Sequence, residues 1–473
     1  MARSPGRWLA ALAAALTTAV ILPAALPAAG PLRTGVNDNG ELAGPDASLA
    51  AKRMRSAGAS LVRLEVNWYA IAPAKRPAIW DASNPDDPNY NWSSLDTKIR
   101  LLESNGLEPL VVLNRPPLWA GGGEQPSPDV GELGKFAHAA AVRYDGRHPG
   151  LPRVRYWQIW NEPNVNVFLY PQFKNGKPYA PILYRQMVNA VAPAVHSARA
   201  DDVVVAGGLS PFTVTRGATI TIGPLRFMRE MLCMSNGKRP RATCSASATF
   251  DVWSHHPYTS GGPTHHALNP NDVSLGDLGK MKRLLDAAFA ARHVVASRGV
   301  KFWVTEISWD TDPPDRNAVP IKLQARWTSE ALYRMWLLGI DTVFWLALRD
   351  SPYPSQPVQS GLWFNGGRGL QSDKPKPTLT AFDFPFVAYV QRKSTLIWGR
   401  TPASAAGRVI IERRTSHGWR SVAGLRANQY GIFTAKLRGP RKGFLRARLA
   451  GSQDASLAFS LARPPDRFYH PFG

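Results

Sequence analysis

Two glutamates stand where a carboxylate is hard to explain as scaffold. Glu162 follows the apolar run of WQIWNEPN, and Glu306 closes the run of FWVTEISW. A carboxylate at the end of a buried run is costly unless it is paired or used. A neighbouring arginine would account for one such residue. Two of them, on separate segments, suggest a pair that converges on one bond. Paired carboxylates fit cleavage of a glycosidic linkage. One donates a proton to the leaving oxygen, and the other attacks the sugar, or activates water, on the opposite face.

The elements that must hold this pair follow from the apolar pattern. Short apolar runs at 32–37, 61–67, 109–114, 154–160, 203–207, 250–255, 301–305 and 342–346 read as strands. Between them, helical periodicity runs over 46–57, 93–104, 130–144, 180–198, 225–232, 278–296 and 323–338. Eight strands alternating with helices predict an α/β fold, a (β/α)8 TIM barrel over residues 31–392. In such a barrel chemistry sits at the C-terminal strand ends, and Glu162 and Glu306 end strands four and seven. No G-x-G-x-x-G follows the first strand, which argues against a dinucleotide fold. Past residue 392 the periodicity shortens to alternating runs with Gly, Ser and Pro between them. Residues 393–473 therefore read as a small C-terminal antiparallel β-domain, sandwich-like.

With WNEPN at strand four and VTEISW at strand seven, the chain resembles the clan A glycoside hydrolases, retaining (β/α)8 enzymes. It looks most like family 39 β-glycosidases, with family 5 next, and the resemblance spans residues 31–392. It implies that Glu162 is the acid/base, Glu306 the nucleophile and Asn161 a partner of the sugar 2-hydroxyl. It also implies an Arg63 that keeps the nucleophile ionised; pairing with Glu65 is the plainer account of that arginine. His256 and Tyr258, in WSHHPYT, match the clan's strand-six histidine and tyrosine, with His255 in reserve. Trp345 would floor the sugar site or pack in the core. Trp119 and Trp68 are candidates for its walls from loop position alone, and Trp309 and Asp310 follow Glu306 closely enough to line the same cleft. Two departures leave the sugar open: Asn114 and Arg115 stand where family 5 enzymes carry a histidine, and Phe168 where relatives often have tryptophan. No cofactor or metal is expected, since His255, His256, His265 and His266 lack the spacing of common metal sites.

The ends of the chain bear on location and partners. Residues 1–29 read as a signal peptide, with Arg3 and Arg7 ahead of an apolar run; an uncleaved anchor is the alternative. Either places the protein outside the cytoplasm, secreted or at the cell envelope. Cys233 and Cys244 are then expected to form a disulfide. The net charge of +23 over 473 residues hints at a polyanion. Fifteen basic residues against three acidic ones lie within 393–473, so about half of that excess belongs to the β-domain. That domain could contact an anionic cell-wall polymer or polysaccharide, or be an ordinary solvated face. No recognised nucleic-acid motif is present, and nucleic acid is not an expected partner. The reading is a secreted retaining glycosidase acting on a carbohydrate substrate. Its rivals are a transglycosylase using the same residues and a non-catalytic carbohydrate-binding barrel.

Overall fold

A computed structural model describes residues 30–464 and 467–469; the expected signal segment, 1–29, lies outside them. Eight parallel strands close into a barrel: β1 (Arg33–Asn37), β2 (Leu61–Asn67), β3 (Glu108–Asn114), β4 (Tyr156–Ile159), β5 (Val203–Leu209), β6 (Val252–His255), β7 (Lys301–Ile307) and β8 (Thr342–Trp345). Each is followed by a helix: α1 (Ala47–Ser56), α2 (Ser93–Ser104), α3 (Val130–Arg143), α4 (Ala180–Ala198), α5 (Pro224–Leu232), α6 (Leu278–Ala290), α7 (Ile321–Leu337) and α8 (Pro377–Asp383). The helix after β8 had no clear signal in the sequence, because it is short and a long loop precedes it. Helix α6 stops at Ala290, six residues before the sequence pattern suggested, with Arg292 in the left-handed region (φ 62°).

Side chains alternate along each strand, and the inward rows change character from one end of the barrel to the other. At the N-terminal end Leu61, Leu110, Tyr156, Val205, Val252, Trp303 and Phe344 form a closed apolar plug. Two residues further on, the same rows carry Arg63, Gln158, Ser254 and Thr305. The plug has no room on β1: a Cβ on Gly35 would lie 2.4 Å from the Phe344 ring. The barrel is thus a packed core below and a polar cup above.

Two antiparallel sheets follow the barrel. One contains β9 (Phe386–Val390), β10 (Thr395–Arg400) and β13 (Ile432–Leu437). The other contains β11 (Gly407–Thr415), β12 (Gly418–Ala427), β14 (Phe444–Leu449) and β15 (Phe459–Ser460). Strand β9 begins ahead of residue 392, so the sheet recruits a segment that the sequence pattern left with the barrel. The reason lies in its contacts: Tyr389 packs on Tyr333 of α7, which also meets Trp398 of β10. Arg400, fully buried, ties the sheet to the N-terminal end of β1 by donating to the Leu32 carbonyl (2.9 Å) and to Thr34 Oγ1 (3.0 Å). Cys233 and Cys244 are joined in a disulfide. Among the described residues no helix is long and apolar enough to cross a membrane.

Candidate active site

Strand β4 delivers Asn161 and Glu162 through an unusual backbone. Trp160 and Glu162 both have positive φ, 66° and 41°. Non-glycine residues pay a steric cost there, and such residues cluster at functional sites. The turn is held by Trp160 N–H donating to the Leu113 carbonyl, and Glu162 N–H to that of Gly208, both at 3.0 Å.

A bulge sets the angle of Glu306. Val304 pairs with Val343 and Ile307 with Trp345, so β7 takes three steps where β8 takes two. The extra residue lets consecutive side chains share the interior, which simple alternation forbids. Thr305 and Glu306 therefore both reach the cup.

Arg63, buried from β2, is the hub. Its guanidinium donates to Glu306 Oε1 at 2.7 Å, to Asn161 Oδ1 at 2.8 Å and to Gln158 Oε1 at 3.1 Å. It also reaches Glu65 Oε1 at 3.5 Å, so both partners expected of it are present. Tyr258 donates its hydroxyl to Glu306 Oε2 at 2.8 Å. His256 Nδ1 lies 3.1 Å from Glu162 Oε1 and 3.7 Å from Glu306 Oε2, while its Nε2 is 3.1 Å from Thr305 Oγ1. His255, one residue earlier, points out of the barrel to the Val273 carbonyl, and burial drives its pKa down to about 3. The strand thus separates the two histidines, one neutral in the core and one in the cup.

The two carboxylates are pushed apart in acidity. Burial raises the pKa of Glu162, and the negative charge of Glu306 adds to that; the His256 contact opposes it without reversing it. Burial would raise Glu306 as well, but the positive fields of His256 and Arg63, with hydrogen bonds from Tyr258 and Arg63, more than offset it and hold it below the ordinary carboxylate value. One carboxylate is built to keep a proton and the other to lose it.

The tryptophans are placed differently. Trp345 is buried, its indole N–H donating to the Ser360 carbonyl and its ring against Trp309 and Phe382. Trp309 is buried too, bonded to the carbonyls of Thr259 and Gly261. Asp310 accepts from the Gln359 backbone N–H, away from the cup. Trp119, expected on a cleft wall, instead packs edge-on against Trp68 and Trp80 and donates to the Pro73 carbonyl at 2.8 Å. Trp68 is buried against Phe136. Those two indoles support the loops rather than face the carboxylates. An aromatic in a loop has two ways to be used, and sequence position cannot choose between them.

Several cup residues were not among the expected site residues. Gln158 takes Arg63 Nε and donates to the Trp160 carbonyl at 3.0 Å. Thr305 fixes the His256 ring. Asn114 donates to Glu65 Oε2 at 3.4 Å. Inward alternation along β4 and β7 would have pointed to Gln158 and Thr305; it is Glu306, the next residue, whose place in the cup depends on the bulge. Among the described residues no group of three or more His, Cys, Asp or Glu is arranged to hold a metal ion.

No family model and no curated protein matches the chain. Solved structures do. A family 39 glycoside hydrolase from the gut symbiont Bacteroides cellulosilyticus WH2 aligns with a TM-score of 0.52 at 17% identity, over 86% of this chain and 79% of that one. A monomeric beta-xylosidase from Caulobacter crescentus CB15 gives a TM-score of 0.50 at 14% identity, over 87% and 95%. A GH39 beta-xylosidase from Caulobacter crescentus gives 0.50 at 15%, over 81% and 83%. At these identities the likeness is one of fold, and the chain shares the fold of these family 39 structures.

Proposed function

We propose that the protein is a secreted retaining β-glycoside hydrolase, with Glu162 as acid/base and Glu306 as nucleophile. The observation that carries this reading is the pair itself: two carboxylates on either side of one imidazole nitrogen, with acidities displaced in opposite directions. The oxygens of the two carboxylates nearest His256 Nδ1 lie 3.1 and 3.7 Å from it, so they are at most about 6.8 Å apart, a span that admits the ~5–5.5 Å of double displacement.

In the first step Glu306 attacks the anomeric carbon as the bond to the leaving oxygen breaks, and Glu162 gives that oxygen its proton. Esterification removes the negative charge of Glu306. The pKa of Glu162 then falls, and the same carboxylate takes a proton from water as water attacks the glycosyl ester. Arg63 and Tyr258 hold Glu306 ionised and aimed. The Asn161 carbonyl is engaged by Arg63, which turns its amide N–H2 toward the sugar 2-hydroxyl. The structures it resembles are named as a glycoside hydrolase and beta-xylosidases, which adds to the case.

The β-domain would contact an anionic polymer of the cell surface. Arg408 lies opposite Arg426, and Arg413 opposite Arg420, across the β11–β12 hairpin. Like charges directly opposite one another destabilise a sheet, and an anionic surface would offset that cost. A panel of aryl β-glycosides, with wild type and Glu306→Gly, tests the catalytic reading. Glu306→Gly should be inactive alone and should form an inverted glycosyl azide when azide is supplied. A wild-type protein as inert as the variant on every sugar would remove the reading.

A further inference from the structure

A cavity of about 720 Å³ opens on the outer flank of the barrel, between α4, α5 and the disulfide-closed segment 233–244. No residue of the catalytic cup lines it. Three arginines do: Arg185 from α4, and Arg226 and Arg229 from α5. Glu230 is the one acid among the described lining residues, so the lining carries a net of two positive charges.

Half-buried cations ordinarily meet a carboxylate. Among the described residues, the partners of these three are neutral instead. Arg185 Nη1 donates to the Met231 carbonyl at 2.9 Å, near the end of α5, and to Cys233 Sγ at 3.5 Å. Arg229 Nη2 donates to Asn271 Oδ1 at 2.7 Å. Arg226 lies over the Phe173 ring, 5.6 Å from its centroid. These contacts hold the guanidiniums in place and leave most of their N–H donors unspent. Burial lowers the pKa of Arg185, and that of Arg229 in spite of the neighbouring Glu230 charge, so both cations are short of counter-charge.

The segment 233–244 adds charge beside the cavity. Lys238, Arg239 and Arg241 are exposed on it. The Cys233–Cys244 bond closes the segment, and Met234 pairs with Ala242 in an antiparallel bridge, so the basic turn is fixed there. A concentration of one sign of charge around a cleft draws in anions.

Charge and donor geometry select the ligand. A guanidinium fork matches the oxygens of a phosphate group, and three forks serve it from different sides. A phosphate monoester carries about −1.5 to −2 at neutral pH, close to the charge of the lining. A carboxylate or a phosphodiester carries only a single charge. The volume is that of a small-molecule site and leaves room beyond the phosphate, where Ile182, Met234 and the disulfide offer apolar contact.

We infer that this cavity binds a small organic phosphate monoester through Arg185, Arg226 and Arg229. The site is separate from the carboxylate pair, and the inference stands whether or not the chain is a hydrolase.

The test is isothermal titration calorimetry of the full chain at constant ionic strength. The probes are glucose 6-phosphate and glycerol 3-phosphate, against the monoanions glucuronate and dimethyl phosphate. The better monoester should bind saturably at one site, about tenfold or more tighter than either monoanion. The double variant Arg226→Gln, Arg229→Gln should weaken it by about tenfold or more, with far-UV circular dichroism to verify folding. Arg226→Gln alone should weaken it in the same direction; it removes no hydrogen bond among the described residues and covers the case of a double variant that does not fold. Arg413→Gln, which removes one charge from the β11–β12 hairpin, should bind as wild type does. Monoesters that do not bind, that bind no tighter than the monoanions, or that bind wild type and Arg226→Gln equally well would each overturn the inference.

Discussion

Tyr258→Phe isolates one determinant of the nucleophile's acidity. The tyrosine donates to Glu306 Oε2 at 2.8 Å, and its phenol is kept protonated by burial and by the charge of Glu306. The substitution removes one oxygen and leaves the ring. A hydrogen bond to a charged group is worth about 1.5–3 kcal/mol, and each 1.36 kcal/mol of preference for the ionised form is one pKa unit. Loss of the donor should therefore weaken the ionised form by up to about 1.5–3 kcal/mol and raise the Glu306 pKa, with Arg63 still holding it partly down. Glu306 must be ionised to attack, so activity is lost as pH falls through its pKa. The acidic limb of the kcat/KM profile should move to higher pH with it, because this limb reports the free enzyme's base. The alkaline limb belongs to the protonated form of the coupled pair and should move less. The assay is initial-rate hydrolysis of the best aryl glycoside across the pH range, with far-UV circular dichroism at each end to verify folding. A Tyr258→Phe enzyme that is folded and slower, yet has its acidic limb where wild type has it, would refute the assignment of Glu306 as the ionised nucleophile tuned by Tyr258.

Other expectations follow from the same geometry. The raised pKa of Glu162 means that ionising it in the folded state is penalised; its stabilising contribution is complete below the ordinary carboxylate value and is lost as pH rises through the raised one. Glu162→Gln should accordingly have a higher Tm than wild type at neutral pH and an equal Tm in acid below the carboxylate range, while losing activity; an equal gain at both pH values would contradict the burial argument. Gly35→Ala forces a methyl against Phe344 in the barrel plug and should cost about 1–3 kcal/mol in urea denaturation, from overpacking alone. A variant as stable as wild type would mean that the plug is loosely packed.

Much of the architecture was legible because parallel strands buried on both faces read as continuous apolar runs, and amphipathic helices separate them. Helices 93–104 and 180–198 have the bounds their patterns suggested. Strand β9 was not legible, since its five residues FVAYV acquire their place by packing on α7 and pairing with β10. The same distinction runs through the site. Glu162 and Glu306 were conspicuous because a carboxylate at the end of an apolar run needs a use. Trp119 was not, because an indole in a loop can face a ligand or brace a neighbour at no difference in sequence.

The sequence by itself determined the residue types: eight strand ends, two of them acidic, with Arg63, His256 and Tyr258 on other strands. Local patterning suffices for that, as strand and helix periods are properties of neighbours along the chain. Only the tertiary structure decided how those residues meet. The bulge in β7 brings Thr305 and Glu306 inside together, and barrel closure sets Arg63 of β2 against Asn161 after β4 and Glu306 of β7. The opposite displacement of the two acidities comes from burial and from charges distant in sequence, so it exists only once the barrel has closed.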